Sequence, residues 1–363
     1  MDWRMPAETA PQDRVWMAFP REGPTLGPAG ASADAAYAAW SAVANATADF
    51  TPVVMVVDPG ERERARRTLS SGIELLTAPL DDFWMRDIGP TFVRGADGTL
   101  GAVDWTFNGW GSDDWRAWGN DRRIGRIVAE AAGVPVLPSL LVNEGGGIHV
   151  DGEGTVLLTE TVQLDPKRNP FTDRAGVEAE LARTIGADTF VWLPCGLHRD
   201  YEALGTRGHV DMVATIPSPG RILLHAQHDP AHPDSALTAE LRAVLAGTRD
   251  SAGREWEIID LPAPGTLRDA SGFVDWSYVN HLVTNGGVIA CGYGEERSDA
   301  RAREILADAY PGRTVVTVDA RPILERGGGI HCITQQQPAG EGAGAGEGRG
   351  RSGGAAARAM DGG

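Results

Sequence analysis

Gly327-Gly328-Gly329-Ile330-His331-Cys332-Ile333-Thr334-Gln335-Gln336-Gln337-Pro338 sets a cysteine behind three glycines and a histidine, just before the sequence loses its globular composition. The first five residues of this stretch recur letter for letter at Gly145-Gly146-Gly147-Ile148-His149, inside Asn143-Glu144-Gly145-Gly146-Gly147-Ile148-His149-Val150-Asp151-Gly152. An internal repeat is the mark of a fold assembled from copies of one unit. Glycines in series let the main chain approach a ligand closely. One copy ends in Val150 and the other in Cys332, so one scaffold turn is equipped for chemistry in a single place. Cys332 is therefore a candidate nucleophile, set against the commoner fate of a free cysteine as a buried, inert thiol.

Around these two turns the chain alternates short strands with helices. Apolar runs predict strands over 16–20, 52–58, 73–76, 134–137, 156–159, 190–193, 221–224, 256–259, 287–290 and 314–318. Helical spacing is found over 35–49, 61–69, 124–132, 175–185, 235–246 and 300–309. Neither GxGxxG after a strand nor GxxxxGK[ST] occurs, so the reading is an α/β, repeat-built fold without a nucleotide site. Four tryptophans, Trp105, Trp110, Trp115 and Trp118, crowd the segment 104–120 among Gly, Asn and Asp, which predicts a packed functional loop or an oligomer contact. From residue 339 the composition falls to Gly, Ala, Arg and Glu, which cannot bury a core; a catalytic domain over 1–338 and a disordered tail over 339–363 are expected.

The 363 residues carry a formal net charge of −17, which argues against nucleic-acid or anionic-membrane partners, since both need basic surface. That charge is compatible with a small cationic substrate. The three cysteines, Cys195, Cys291 and Cys332, are odd in number and form neither a disulfide framework nor a CxxC zinc pair. The start, Met1-Asp2-Trp3-Arg4-Met5-Pro6, lacks a signal-peptide pattern, and no apolar run approaches the roughly twenty residues of a membrane span. A cytoplasmic protein is expected.

Four pieces can carry chemistry: Asp87 in Trp84-Met85-Arg86-Asp87, Glu144 before the first glycine triplet, His209 with Asp211, and Cys332. On a strand, His-x-Asp points both side chains to one face. A thiol near such a histidine can be held as thiolate. Asp87 and Asp211 together could grip a planar cation, for which guanidinium is the best geometric match. Each piece also has a plain structural reading, as a core histidine, a turn ion pair or a cap on backbone amides. His149 and His331, at matched repeat positions, read as structural. His225, His228 and His232 are spaced like metal ligands, but Pro230 and Pro233 break the helix such spacing needs, so no metal is expected.

The segments MPAE (Met5 to Glu8), WMAFP (Trp16 to Pro20), WMRDIGPTFV (Trp84 to Val93), NEGGGIHVDGEGT (Asn143 to Thr155), WLPCGL (Trp192 to Leu197), GHVDM (Gly208 to Met212), YVN (Tyr278 to Asn280) and GGGIHCITQQQP (Gly327 to Pro338) occur in this order. Together they resemble the agmatine deiminase family, which is grouped with bacterial peptidylarginine deiminases. The resemblance implies the pentein fold, a single-domain five-fold pseudosymmetric α/β propeller. It implies a nucleophile at Cys332, an acid/base at His209, guanidinium binding by Asp87 and Asp211 with Trp84 at the substrate, and Glu144 orienting His209. The implied reaction runs through a covalent thiouronium and turns agmatine and water into N-carbamoylputrescine and ammonia, with no cofactor or metal. A deiminase of a guanidino acid or of peptidylarginine, an amidinotransferase and a non-catalytic pentein scaffold are the alternatives, and a homo-oligomer is possible. One departure bears on the substrate's tail. In the family an acidic segment precedes GHxD and meets the distal amine, whereas here Asp200 to Gly208 is longer and carries Arg207, a charge that could repel an amine or accept a carboxylate; Met212 stands where relatives often carry asparagine.

Overall fold

The computed structural model describes residues 2–111 and 117–340. Trp115 and positions 341–363 of the expected tail lie outside the described residues. Ala339 still belongs to the folded body: its N–H donates to the Pro11 carbonyl at 2.8 Å, and its own carbonyl accepts from Arg94.

Five sheets repeat one topology. In each, a buried inner strand pairs antiparallel with a middle strand, which pairs parallel with an outer strand after a helical crossover. The inner, middle and outer strands of one sheet are Thr91–Gly95, Leu100–Thr106 and Val136–Val142, with the crossover helix Ile124–Ala132. The next sheet has Ile148–Val150, Thr155–Thr159 and Thr189–Leu193, with Arg174–Ile185. A third has Ala214–Ser218, Arg221–Ala226 and Glu257–Pro262, with Asp234–Ala246. The fourth has Leu282–Val283, Gly287–Gly292 and Thr314–Asp319, with Glu296–Ala309. In the fifth, Thr334–Pro338 from the chain's end pairs with Gln12–Ala18 from its beginning, which pairs parallel with Val53–Val57 after helix Ala31–Ala48. Closing the last unit with strands from both ends joins residues more than 300 positions apart, as in the bond from Trp16 Nε1 to Gln337 Oε1 at 2.9 Å. This is the expected five-fold α/β propeller.

The sequence dictates these units locally. Helix Ala31–Ala48 buries Ala33, Ala36, Tyr37, Trp40, Val43, Ala44 and Thr47, a stripe at three- and four-residue intervals. Trp40 packs edge-on against Phe83 and Trp84, with ring centroids 5.2 and 5.6 Å away. Truncating so deeply buried an indole costs about 3–5 kcal/mol, and here the loss would fall directly behind Trp84-Met85-Arg86-Asp87. Burial is graded across the fourth unit: Leu282–Val283 and Gly287–Gly292 are buried throughout, while the outer strand Thr314–Asp319 carries exposed and half-buried residues.

The symmetry also explains where the chemistry lies. Each inner strand is entered from a turn, and the five turns are Met85–Ile88, Glu144–Gly147, His209–Met212, Tyr278–Asn280 and Gly327–Cys332. Equivalent turns of a closed ring converge, so residues scattered from 85 to 332 become neighbours.

Candidate active site

His209 and Asp211 do not lie on a strand, as the alternation argument expected. His209 precedes a 3-10 turn, Val210–Met212, because Asp200 captures the backbone ahead of it. The Asp200 carboxylate accepts from the N–H groups of Thr206, Gly208 and His209 at 2.7, 2.7 and 3.0 Å, and from the Thr206 hydroxyl at 2.7 Å. A side chain that takes successive amides offers the chain an alternative to a sheet ladder.

Gly146 defines the centre of the site. A Cβ built there would lie 2.5 Å from His209 Nδ1, 3.0 Å from Asp87 Oδ1 and 3.1 Å from Asp211 Oδ2. Only glycine leaves room where these three polar atoms converge. Gly328 does the same for the thiol: its Cβ would meet the Trp84 ring at 2.6 Å and Cys332 Sγ at 3.2 Å. Cys332 Sγ lies 3.6 Å from Asp211 Oδ2 and accepts from Asn280 Nδ2 at 3.2 Å. Asn280 Oδ1 accepts the His331 N–H at 2.9 Å, and the Cys332 carbonyl accepts the Arg86 N–H at 3.0 Å, so three turns fix the nucleophile's backbone.

Each ionisable group has a distinct support. Asp87 accepts from Trp110 Nε1 at 2.9 Å and from the Gly146 N–H at 3.1 Å, and lies 3.8 Å from His209 Nδ1. His209 Nε2 is 3.2 Å from Glu144 Oε2. Glu144 is clamped by Arg168, whose Nε reaches both carboxylate oxygens at 3.0 and 3.1 Å, while Nη1 meets Asp165 at 3.1 Å and Nη2 the Thr206 carbonyl at 2.7 Å. Two buried side-chain atoms of the site have no hydrogen bond: His209 Nδ1, which meets the space over Gly146, and Asp211 Oδ1. Buried polar atoms are nearly always bonded, and exceptions ask for an explanation; a donor-rich planar ligand would answer to the Asp211 carboxylate, while a protonated His209 Nδ1 is placed to give such a ligand a proton.

Charge follows from these contacts. Burial pushes the Cys332 thiol well above its ordinary pKa, and the anions Asp211 and Asp87 push it further. Burial opposes charge on His209, yet Asp87, Glu144 and Asp211 hold its ring up to about 9. Burial raises Asp87 to about 6 against the pull of His209. Glu144 is lowered to about 2, since Arg168 and His209 overcome its burial. Asp211 is likewise lowered, by His331 above all, despite burial.

Of the residues singled out from sequence, Cys332, His209, Glu144, Asp87, Asp211 and Trp84 come together. Arg207 does not join them: it is half-exposed, at φ 72°, with its guanidinium 3.6 Å from Asp165. The tryptophan-rich segment divides. Trp105 lies in a strand and bonds Thr91 at 2.8 Å, Trp110 holds Asp87, and Trp118 packs half-buried on the core. His225 is buried, and burial lowers it to about 3; His232 bonds the Val274 carbonyl at 3.0 Å. Among the described residues the grouping with metal-ligand spacing is instead Glu8, His149 and His331. Arg168, Asp200, Trp110 and Asn280 were not assigned roles from sequence. The run Asp165-Pro166-Lys167-Arg168-Asn169-Pro170, polar and bounded by prolines, is the one signal that could have drawn attention to Arg168.

Residues 4–338 match the family model described as Porphyromonas-type peptidyl-arginine deiminase. A relative in Streptomyces coelicolor is 51% identical over 339 residues, spanning 93% of this chain and 99% of that protein. The agmatine deiminase of Pseudomonas putida is 40% identical over 360 residues, covering 93% and 96% of the two chains. The solved agmatine deiminase of Enterococcus faecalis superposes with a TM-score of 0.86 at 32% identity, again over 93% and 96%. Since the matched span includes all five turns, the chain belongs to the Porphyromonas-type peptidyl-arginine deiminase family.

Proposed function

We propose that this protein hydrolyses agmatine to N-carbamoylputrescine and ammonia through a covalent intermediate on Cys332. The observation that carries the reading is the convergence of His209 Nδ1, Asp87 Oδ1 and Asp211 Oδ2 over Gly146, with the thiol 3.6 Å from Asp211. Asp87 and Asp211 receive the N–H groups of the guanidinium, which presents its planar carbon to sulfur. Trp84 walls the site beside Gly328.

The charges support a definite proton order. The free site holds a thiol and an imidazolium. A guanidinium between two carboxylates cancels the field that keeps Cys332 protonated, so on substrate binding the thiol releases its proton to solvent and stands as thiolate. The thiolate attacks the guanidinium carbon. His209 Nδ1–H protonates the departing nitrogen and ammonia leaves, with the substrate carbon now bonded to sulfur as an S-alkylthiouronium. Neutral His209 then takes a proton from water as that water attacks the same carbon; collapse expels the thiolate and the ureido product. Glu144, fixed by Arg168, orients His209 and stabilises its charged form.

An amine tail is favoured over a carboxylate by a cavity of about 220 Å³ that includes Glu202, Leu204, Asp275, Glu325 and Gly327 in its walls. The cation there, Arg199, is engaged by Asp269 at 2.6 Å and the Phe273 carbonyl at 3.3 Å. Asp275 is buried, and burial followed by Asp200 raises its carboxyl to about 7 against the pull of Arg199. A bound ammonium would restore its charge.

The test is ammonia release from agmatine, arginine, guanidinobutyrate and a short arginine peptide, by the native protein and by Cys332→Ala. Turnover of agmatine, abolished by the substitution, is expected. Turnover of only a carboxylate-bearing substrate would keep the chemistry and replace the substrate; transfer to an added amine without ammonia would replace the reaction.

A further inference from the structure

Beneath Asp211 lies a buried chain of groups that the mechanism above does not use. His331 Nδ1 is 2.7 Å from Asp211 Oδ2, and His331 Nε2 is 2.7 Å from Glu8 Oε1. All three side chains are almost fully buried. Both ring nitrogens thus face carboxylates, which only accept hydrogen bonds when ionised. Two acceptors require two N–H donors, so the arrangement calls for an imidazolium between two anions. The repeat copy behaves differently. His149 Nε2 meets the Thr215 hydroxyl at 3.0 Å, while its Nδ1 lies 3.7 Å from Glu8, beyond hydrogen-bond range.

A metal ion is a poor occupant for Glu8, His149 and His331, although their donor atoms lie within 4.8 Å of one another. Both nitrogens of His331 are engaged already, and the Arg86 guanidinium lies 3.6 Å from the same Glu8 oxygen. A cation in this position would meet an arginine.

We infer that Glu8 and His331 form a positioning relay for Asp211, in which Glu8 holds His331 doubly protonated and His331 fixes the carboxylate through Oδ2, keeping that oxygen beside the space over Gly146 and leaving Oδ1 without a hydrogen bond to the protein. The inference rests on reading Asp211 as a guanidinium ligand. It explains why Asp211 Oδ1 is buried without a partner while Oδ2 is bonded. It also gives the MPAE segment a task, since Glu8 reaches across 323 positions of sequence to His331. The groups facing the relay are Arg86 from the turn before Thr91–Gly95, His149 from the neighbouring inner strand, His281 from the segment after Asn280, and Tyr310 at the end of helix Glu296–Ala309. Burial and Arg86 oppose the imidazolium, and Glu8 and Asp211 together outweigh them. Burial depresses His149 and His281, so neither competes for the charge.

The test is Glu8→Gln, which keeps shape and removes the anion. With 15N-histidine labelling, the native protein at neutral pH should show two rings protonated on both nitrogens, His209 and His331, and Glu8→Gln should lose one of them. KM for agmatine should rise about tenfold or more, the worth of a hydrogen bond to a charged group, because Asp211 loses its cationic neighbour, and the acid limb of kcat/KM, set in the native protein by Asp87 near 6, should move to higher pH once Asp211 titrates above it. The alkaline limb, set by His209, should stay. Glu8→Asp should recover part of the shift, and His149→Gln should leave the acid limb unmoved. An acid limb and KM unchanged in Glu8→Gln, with only thermal stability lowered, would overturn the relay in favour of a packing role. If Glu8→Gln fails to fold, the native spectrum decides: a His331 ring protonated on only one nitrogen overturns it. The spectral arm needs no substrate, so a failure of the agmatine reading is distinguishable from a failure of the relay.

Discussion

Replacing Asp87 by Asn should produce two effects of opposite sign, and their combination is what a structural aspartate would not give. Asp87 carries charge toward the space over Gly146 and also contributes to holding the Cys332 thiol protonated. Asn keeps one acceptor for Trp110 or Gly146 but loses the charge. A hydrogen bond to a charged group contributes about 1.5–3 kcal/mol, so kcat/KM for agmatine should fall roughly 10- to 150-fold at about 1.4 kcal/mol per decade. The free thiol should move the other way. With one anion removed, thiolate is less disfavoured, and Cys332 should titrate at lower pH.

The pH dependence sharpens the test. Burial holds the Asp87 carboxyl near 6. Well above that pH the native carboxylate is ionised and the two proteins should differ fully. As pH falls through about 6 the native carboxyl takes a proton, and the gap in thiol reactivity should close. Iodoacetamide alkylation and ultraviolet thiolate absorbance, corrected with Cys332→Ala, measure this; Cys291, pushed by burial to about 11, contributes little near neutrality. A Cys332 that titrates at the same or higher pH in Asp87→Asn would refute the electrostatic account, whatever the loss of turnover.

Glu144→Gln should lower the alkaline limb of kcat, because His209 loses the anion bonded to Nε2 and its pKa falls from about 9; an unmoved limb in the pH–rate profile would remove Glu144 from the acid/base assembly. Arg168→Met strands a fully buried carboxylate and should cost about 3–5 kcal/mol in urea unfolding, with Arg168→Met/Glu144→Gln recovering part of that loss; equal destabilisation in the double variant would contradict the clamp. Gly146→Ala should abolish ammonia release with a native circular dichroism spectrum and a loss of stability of about 1–3 kcal/mol, since the added methyl lands 2.5 Å from His209 Nδ1; turnover retained in the variant would contradict the crowding at this point. Asp275→Asn should raise KM for agmatine about tenfold and leave turnover of an uncharged alkylguanidine unaltered; equal effects on both would detach Asp275 from the tail.

The fold was legible because each unit repeats the same apolar strand, amphipathic helix and apolar strand, and because the glycine triplet survives in two of the five turns. Chemistry was legible where it is concentrated, at Trp84-Met85-Arg86-Asp87, Gly208-His209-Val210-Asp211 and Gly327 to Cys332. What escaped is whatever depends on a distant partner. His-x-Asp looks like a strand until Asp200, nine positions upstream, takes the amide of His209. Arg168 is one arginine among many until its guanidinium is seen locked on Glu144, and Trp110 is one of four tryptophans until it is found on Asp87. Arg207 shows the same dependence on a distant partner: it stands directly before Gly208 in sequence, while its φ is positive and its guanidinium lies beside Asp165.

The two GGGIH turns show how a symmetric scaffold becomes an asymmetric catalyst. Five equivalent turns would surround the centre with five equivalent sets of groups, and identical groups around one point cannot act as nucleophile, acid and anion clamp at once. The repeat keeps the backbone and varies what stands beside it. At the first turn Gly146 leaves room for polar atoms of other turns, and the following histidine settles on a neutral hydroxyl, Thr215. At the second, the matching histidine meets Asp211 and Glu8, and the next residue is the thiol. The same imidazole is thus kept uncharged in one turn by burial and charged in the other by two carboxylates. The difference rests on neighbours rather than on the turn itself. Exchanging Val150 for cysteine in the first turn should therefore create a thiol without reactivity, since Val150 lies in an apolar cluster with Met5, Ile148 and Val156. Alkylation of Val150→Cys/Cys332→Ala at the rate of native Cys332 would show instead that the turn alone confers the chemistry.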